Sequence, residues 1–321
     1  MKSAINDALN QPLEGVDLSD FGQTHVGKVR DMCVLNDKRV LVTTDRVSAF
    51  DRVLGTIPYK GQVLNQLSGW WFEKLQDVVS NHMISMPDPN VMVTHEAKPL
   101  PVEVIVRGYI TGSTSTSLWT LYEQGVEKPY GLDLPEGLVK NAKLPNAVIT
   151  PTTKAEMGEH DERLTSAEVL ERGLVEPELW AQVQRVALEI FAAGQAAAAQ
   201  AGLILVDTKY EFGMIDGKLS LIDEVHTPDS SRYWIAETYD QAMANGTAPD
   251  QFDKEHLRLW LKAQGYNGDG EAPVLTDEIR AEVAQRYIDA FEKLTQTQFV
   301  PGDLPPADRV NSNIRSYLGS K

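Results

Sequence analysis

Asp207, Lys209 and Glu211 occupy alternate positions in Leu205-Val-Asp-Thr-Lys-Tyr-Glu-Phe-Gly213, a run otherwise rich in strand formers. On an extended chain alternate side chains share a face, so an ammonium would stand between two carboxylates. A second run, Leu219-Ser-Leu-Ile-Asp223-Glu224-Val225, follows after Ile215-Asp216-Gly217-Lys218, and Asp-Gly between apolar runs signals a hairpin. Two strands thus gather at least four ionisable groups. Such a cluster is costly unless a metal ion, a phosphate or a charged substrate compensates it, or unless the face is simply solvated.

Three further segments carry groups suited to anions. Gly22-Gln-Thr-His-Val-Gly27-Lys28-Val29 approaches the phosphate-cradling P-loop pattern, but Val29 stands where that pattern needs Ser or Thr, and a strand rather than a helix is expected next. Lys28 and Arg30, alternating after a glycine, could still cover a triphosphate; the alternative is a basic exposed strand edge. Glu103, Ile105, Arg107 and Tyr109 share one face of an apolar strand, just before Thr111-Gly-Ser113-Thr-Ser-Thr-Ser117 and a short helix. Arg107 with these hydroxyls suits a phosphate or carboxylate, against a plain Ser/Thr cap with Arg107 paired to Glu103. Thr227-Pro-Asp-Ser-Ser-Arg232 repeats the combination of turn, hydroxyls and arginine. Between Pro151 and Glu162, Lys154, His160 and four carboxylates including Asp161 crowd one segment, which by itself reads as a solvated loop.

The elements that position these groups follow from periodicity. Strands are expected over 26–35 and 39–45, joined at Asn36-Asp-Lys38, and over 101–110; helices over 62–79, 177–199 with Gly202 as its stop, 252–263 and 276–294. The capping box Thr165-Ser-Ala-Glu168 opens a short helix that Gly173 ends. Residues 131–162, with three prolines and no period, are expected to form a long ordered loop. The outcome is an α+β protein with a β-rich N-terminal lobe over residues 1–100, an α/β lobe over 101–321 ending in a helical extension, and a cleft between them.

Composition sets limits. With 321 residues, 42% of them hydrophobic, the chain can build a sizeable core, and its net charge of -16 argues against nucleic acid or an anionic membrane as partner. The single cysteine, Cys33, excludes an internal disulfide and fits a reducing cytoplasm; neither secretion nor a membrane span is expected. No Gly-x-Ser-x-Gly elbow, Cys-His pair or Gly-x-Gly-x-x-Gly fingerprint supports a nucleophilic hydrolase or a nicotinamide enzyme.

Together, Leu100-Pro-Val-Glu-Val-Ile-Val-Arg107-Gly-Tyr-Ile-Thr-Gly-Ser113 and the Leu205–Gly213 run resemble the two signature segments of the SAICAR synthetases, the ATP-dependent ligases of de novo purine synthesis. Gly27 to Asp31, Ser48 to Asp51, Lys154 to Glu162 and Ile222 to Arg232 agree with that family, and the length suggests its longer form. The resemblance implies that ATP, 5-amino-4-carboxyimidazole ribonucleotide and L-aspartate yield ADP, phosphate and a succinocarboxamide, by way of an acyl phosphate. It also implies magnesium held by Glu211 and Asp223, ATP covered by Lys28 and Arg30, and the ribonucleotide bound by Arg107, Ser113, Arg232 and Arg258. Asp207 and Lys209 fall at the reacting centre, with Ser48, Lys154 and Asp161 toward aspartate. A small-molecule kinase of similar fold and a non-catalytic nucleotide-binding module are the alternatives, and a monomer or small homo-oligomer is expected. A two-residue turn at Asp216-Gly217 would leave Asp223 on the face opposite Glu211, whereas a glycine bulge would bring the two together. A shared magnesium therefore predicts a bulge near Gly217.

Overall fold

The computed structural model describes residues 1–50, 52–154, 162–252 and 255–319. In chain order these form α1 (Lys2–Ala8), β1 (Gln23–Val26), β2 (Arg30–Leu35), β3 (Lys38–Thr43), β4 (Arg46–Ala49), β5 (Arg52–Thr56), α2 (Lys60–Lys74), β6 (Ser80–Asn81), β7 (Met83–Asp88) and β8 (Val91–His95). There follow β9 (Lys98–Tyr109), α3 (Leu118–Glu123), β10 (Lys143–Thr153), α4 (Ser166–Glu171), α5 (Pro177–Gln200), β11 (Leu203–Ile215), β12 (Lys218–Ile222) and β13 (Ser231–Ile235). Helices α6 (Ala236–Asn245), α7 (Glu255–Ala263), α8 (Asp277–Thr295) and α9 (Pro306–Gly319) complete the chain. The fold is α+β, as the sequence predicts, and no described helix is long and apolar enough to cross a membrane.

Two sheets carry the architecture. The N-terminal sheet runs β1-β2-β3-β8-β7, all antiparallel. Alternation along β3 serves two cores: Val40 and Val42 pack with Cys33, Val91, Val93 and, from the far end of the chain, Val310 and Ile314 of α9, while Leu41 joins the main core beneath α2. The C-terminal extension therefore closes the back of the N-terminal sheet. The central sheet runs β10-β9-β11-β12-β6, with β13 also on β11. Helix α5 lies on it: Gly194 leaves room for His226, since a Cβ there would stand 2.3 Å from the imidazole, and His226 in turn contacts the Tyr210 hydroxyl at 2.5 Å.

Two expectations are corrected. Residues 143–153 are not loop but β10, paired antiparallel with β9. Pro145 and Pro151 read as breakers, yet β10 is an edge strand, where a residue without an N–H is tolerated, and the register shifts between Lys143 and Val148. The hairpin is also plainer than predicted. Glu211 pairs with Ile222 and Ile215 with Lys218, so Asp216 and Gly217, at φ 49° and 75°, form a two-residue turn with no bulge at Gly217. The register slips elsewhere on β11, against β13 between Leu205 and Asp207 and against β9 between Glu211 and Gly213.

Candidate functional site

Strand pairing sets out the charges in rows. Asp207 lies opposite Arg107 of β9 on one side and Arg232 of β13 on the other. Its carboxylate takes Arg107 at 3.0 Å and Arg232 at 3.3 Å, and Arg107 also donates to the Thr150 hydroxyl of β10 at 2.9 Å. The pairing of Arg107 with Glu103 considered from sequence is therefore not formed.

The next row is tighter. Glu211 and Glu103 face each other directly across β11 and β9, an arrangement of like charges that destabilises a sheet unless neutralised. Lys209 supplies the charge, reaching Glu103 at 2.6 Å and Glu211 at 2.8 Å, and Lys154 adds a second ammonium to Glu211. Burial alone would lower the Lys209 pKa, but Glu211, Glu103 and Asp223 outweigh it and hold the ammonium above its ordinary range. Burial likewise works to raise Glu211, and Lys209 and Lys154 overcome it, keeping that carboxylate ionised well below the usual range.

Asp223 reaches this cluster without the predicted bulge. It lies just beyond β12 in the left-handed region, at φ 65°, so strand alternation no longer dictates its direction. Arg30 of β2 crosses from the N-terminal sheet to take Asp223 at 2.5 Å and Glu224 at 3.5 Å. The turn before Arg30 is braced by Arg46, whose guanidinium donates to the carbonyls of Gly27 and Lys28, so Lys28 and Arg30 are presented by a β-turn-β unit and not by a P-loop. Lys28 itself is exposed.

Beside Asp207 opens a cleft of about 310 Å³, within the range of small-molecule sites. Arg107, Ser113, Arg232 and Arg258, drawn from β9, the hydroxyl-rich segment, β13 and α7, all line it. Within that segment Ser117 caps α3 through the Thr120 N–H, while Ser113 stays exposed toward the cleft. Ser48 is half-buried on β4, with no side-chain hydrogen bond to the charge cluster among the described residues. Asp161 lies outside the described residues.

Sequence reasoning missed Glu224 as an Arg30 partner, Glu103 as a Lys209 partner, and Lys140 and Lys262 on the cleft wall. The alternation that singled out Asp207, Lys209 and Glu211 applies equally to Glu103 and Arg107 and was the signal for Glu103. His82 and His226 are both buried, and burial pushes each imidazole down to about 3.

An α+β fold whose two larger sheets meet at a carboxylate–ammonium cluster, next to an arginine-lined cleft, defines an enzyme built to hold several anions together. The family model for SAICAR synthetase matches residues 23–275. The phosphoribosylaminoimidazole-succinocarboxamide synthase of Legionella pneumophila (strain Paris) is 48% identical over 306 residues, covering 93% of this chain and 96% of that protein. Among solved structures, SAICAR synthase from Saccharomyces cerevisiae complexed with SAICAR superposes with a TM-score of 0.78 at 32% identity, over 90% of this chain and 100% of that one. A SAICAR synthetase in complex with ADP shares the fold at a TM-score of 0.66 and 21% identity, over 87% of this chain and 100% of that one. The chain belongs to the SAICAR synthetase family, the ATP-dependent ligases of purine biosynthesis.

Proposed function

We propose that this protein joins the amino group of L-aspartate to the carboxylate of 5-amino-4-carboxyimidazole ribonucleotide, at the expense of ATP, giving SAICAR, ADP and phosphate. The observation that carries the reading is convergence: Arg107, Ser113, Arg232 and Arg258 come from four separate segments and line one cleft, directly beside Asp207 and the Lys209 cluster. A ribonucleotide phosphate suits that cleft, because guanidinium groups match phosphate oxygens in charge and geometry. A kinase would need no such site for a second ribonucleotide next to its transfer centre, and the family match does not favour it.

The chemistry then falls to the named side chains. A carboxylate is a poor electrophile, so its oxygen displaces ADP from the γ-phosphoryl group; the aspartate amine attacks the resulting acyl phosphate, and phosphate leaves as the amine loses its proton. Lys209 meets negative charge as it develops on the transferring group, already held protonated by its carboxylate neighbours. Asp207, fixed by two arginines, orients the imidazole ring. Lys28 and Arg30, on the lobe formed by residues 1–100, cover ATP, and the lobe formed by 101–321 holds the other substrates. Ser48, Lys154 and Asp161 are assigned to the side from which aspartate enters.

Glu211 and Asp223 are the residues that would hold magnesium. Their donor set fits: both are hard oxygen ligands, and magnesium commonly takes one or two carboxylates and completes its shell with phosphates and water. No group of three His, Cys, Asp or Glu suited to a full protein cage occurs among the described residues. When bound, the ion would neutralise charge on the ATP phosphates. Incubation with ATP, magnesium, the carboxyimidazole nucleotide and isotopically labelled aspartate, followed by mass spectrometry, should show the label in a nucleotide heavier by one aspartate less water. A labelled phosphoaspartate, or no labelled nucleotide, would reject the assignment. A monomer or small homo-oligomer in the cytoplasm fits this role.

A further inference from the structure

The buried Lys60–Asp229–Tyr287 group lies outside the machinery assigned above and ties three distant segments to one point. Lys60, at the start of α2, is fully buried and meets one Asp229 oxygen at 2.9 Å; the Tyr287 hydroxyl of α8 donates to the other, and the Lys60 ammonium stands 5.9 Å from the Tyr287 ring centre. Burying an ion pair is rarely a net source of stability, because desolvation of both charges offsets their attraction. What this one does is hold a turn. Asp229 sits in Thr227-Pro-Asp-Ser-Ser231, closed by the Ser231 N–H to the Thr227 carbonyl at 2.9 Å. On one side the Thr227 hydroxyl donates to Glu224, the partner of Arg30. On the other, the Ser230 carbonyl accepts from the Lys209 N–H at 3.0 Å, and Ser231 donates to Thr208 at 2.8 Å just before Arg232 enters the cleft.

We infer that Lys60 and Tyr287 are positioning residues that act through Asp229 to set the turn presenting Arg232 to the substrate cleft. Tyr287 lies beyond residue 275, where the family match ends, so its hydroxyl ties the C-terminal extension to this turn, while Arg286 of the same helix donates to the carbonyl of Gln251 on the cleft wall at 3.3 Å. The inference rests on the ribonucleotide reading of the cleft. Removing the hydroxyl leaves Asp229 one donor short and loosens the turn, while the aromatic ring keeps its place in the core. A shift at Arg232 weakens its charge-assisted contact with the substrate, and weakening one such contact costs on the order of tenfold in binding.

The test compares Tyr287→Phe with Ile288→Val in the full-length protein, the second trimming the same helix core without touching Asp229. Steady-state kinetics are read against the carboxyimidazole nucleotide and against ATP, and thermal midpoints are read by calorimetry. Y287F should raise KM for the carboxyimidazole nucleotide about tenfold with KM for ATP changed less than threefold, whereas I288V should lower the midpoint and leave both KM values unchanged. A Y287F protein with wild-type KM, or two variants whose KM values move together with their midpoints, would overturn the positioning role. Should Y287F fail to fold, Lys60→Met combined with Asp229→Asn removes the charges as a pair, and an unaltered nucleotide KM in that protein would overturn the role equally. Wild-type protein without aspartate-dependent ADP release would reject the function instead, which keeps the two failures distinct.

Discussion

Replacing Arg107 by alanine separates a substrate-binding arginine from a structural one. The side chain bonds Asp207 at 3.0 Å and the Thr150 hydroxyl at 2.9 Å, and it also stands against the Tyr130 hydroxyl. Deleting it does not strand Asp207, which keeps Arg232 at 3.3 Å, so the loss of stability should stay at about 1–3 kcal/mol and the fold should survive. Binding should suffer more. A charge-assisted contact to a phosphate in a partly desolvated cleft is worth about 2–4 kcal/mol, or roughly 30- to 1000-fold in Kd. Arg107→Lys should recover only part of that loss, because an ammonium cannot reproduce the planar two-point contact. Calorimetric titration with the carboxyimidazole nucleotide measures the effect, and titration with ADP is the control that should be little changed. A folded Arg107→Ala protein with wild-type affinity for the nucleotide would refute the reasoning and return Arg107 to a structural role.

Two other perturbations follow from the charge rows. Lys209→Met should slow ADP release by about 10²- to 10³-fold, the usual effect of removing one preorganised electrostatic group. It also leaves Glu103 opposite Glu211, so its urea stability should fall between pH 5 and pH 8 relative to wild type; parallel curves would contradict the neutralising role. Asp45, between β3 and β4, accepts from the N–H groups of Leu13 and of Gly61 at the start of α2, yet burial pushes its carboxyl up to about 6. The folded state then holds that proton more tightly than the unfolded state, so Asp45's contribution to stability falls as pH rises from about 4 to about 6. Asp45→Asn should flatten the thermal midpoint against pH across this window, and an unchanged slope would show that another group is responsible.

Much of the site was legible in the sequence because it lies on regular strands. Asp207, Lys209 and Glu211 follow strict alternation, and Arg107 sits on the neighbouring strand at the register that meets Asp207. What alternation could not reveal lies where strands stop. Asp223 was expected to need a bulge at Gly217, but it leaves the strand one residue after Ile222 and turns in the left-handed region, a backbone choice that an aspartate tolerates and a pattern of apolar residues does not encode. Strand β10 was hidden by its prolines, which cost little at a sheet edge. The Lys60–Asp229–Tyr287 group was invisible for another reason: its members lie far apart in sequence, and only the packing of α2 and α8 brings them together. The α9 cover on the N-terminal sheet is equally non-local.

The most direct test of the central claim is ADP release with each substrate left out in turn. Turnover should need ATP, the carboxyimidazole nucleotide and L-aspartate together, and chelation of divalent cations should abolish it. Release that continues undiminished without aspartate or without the nucleotide would contradict ligation and point to a different phosphoryl acceptor.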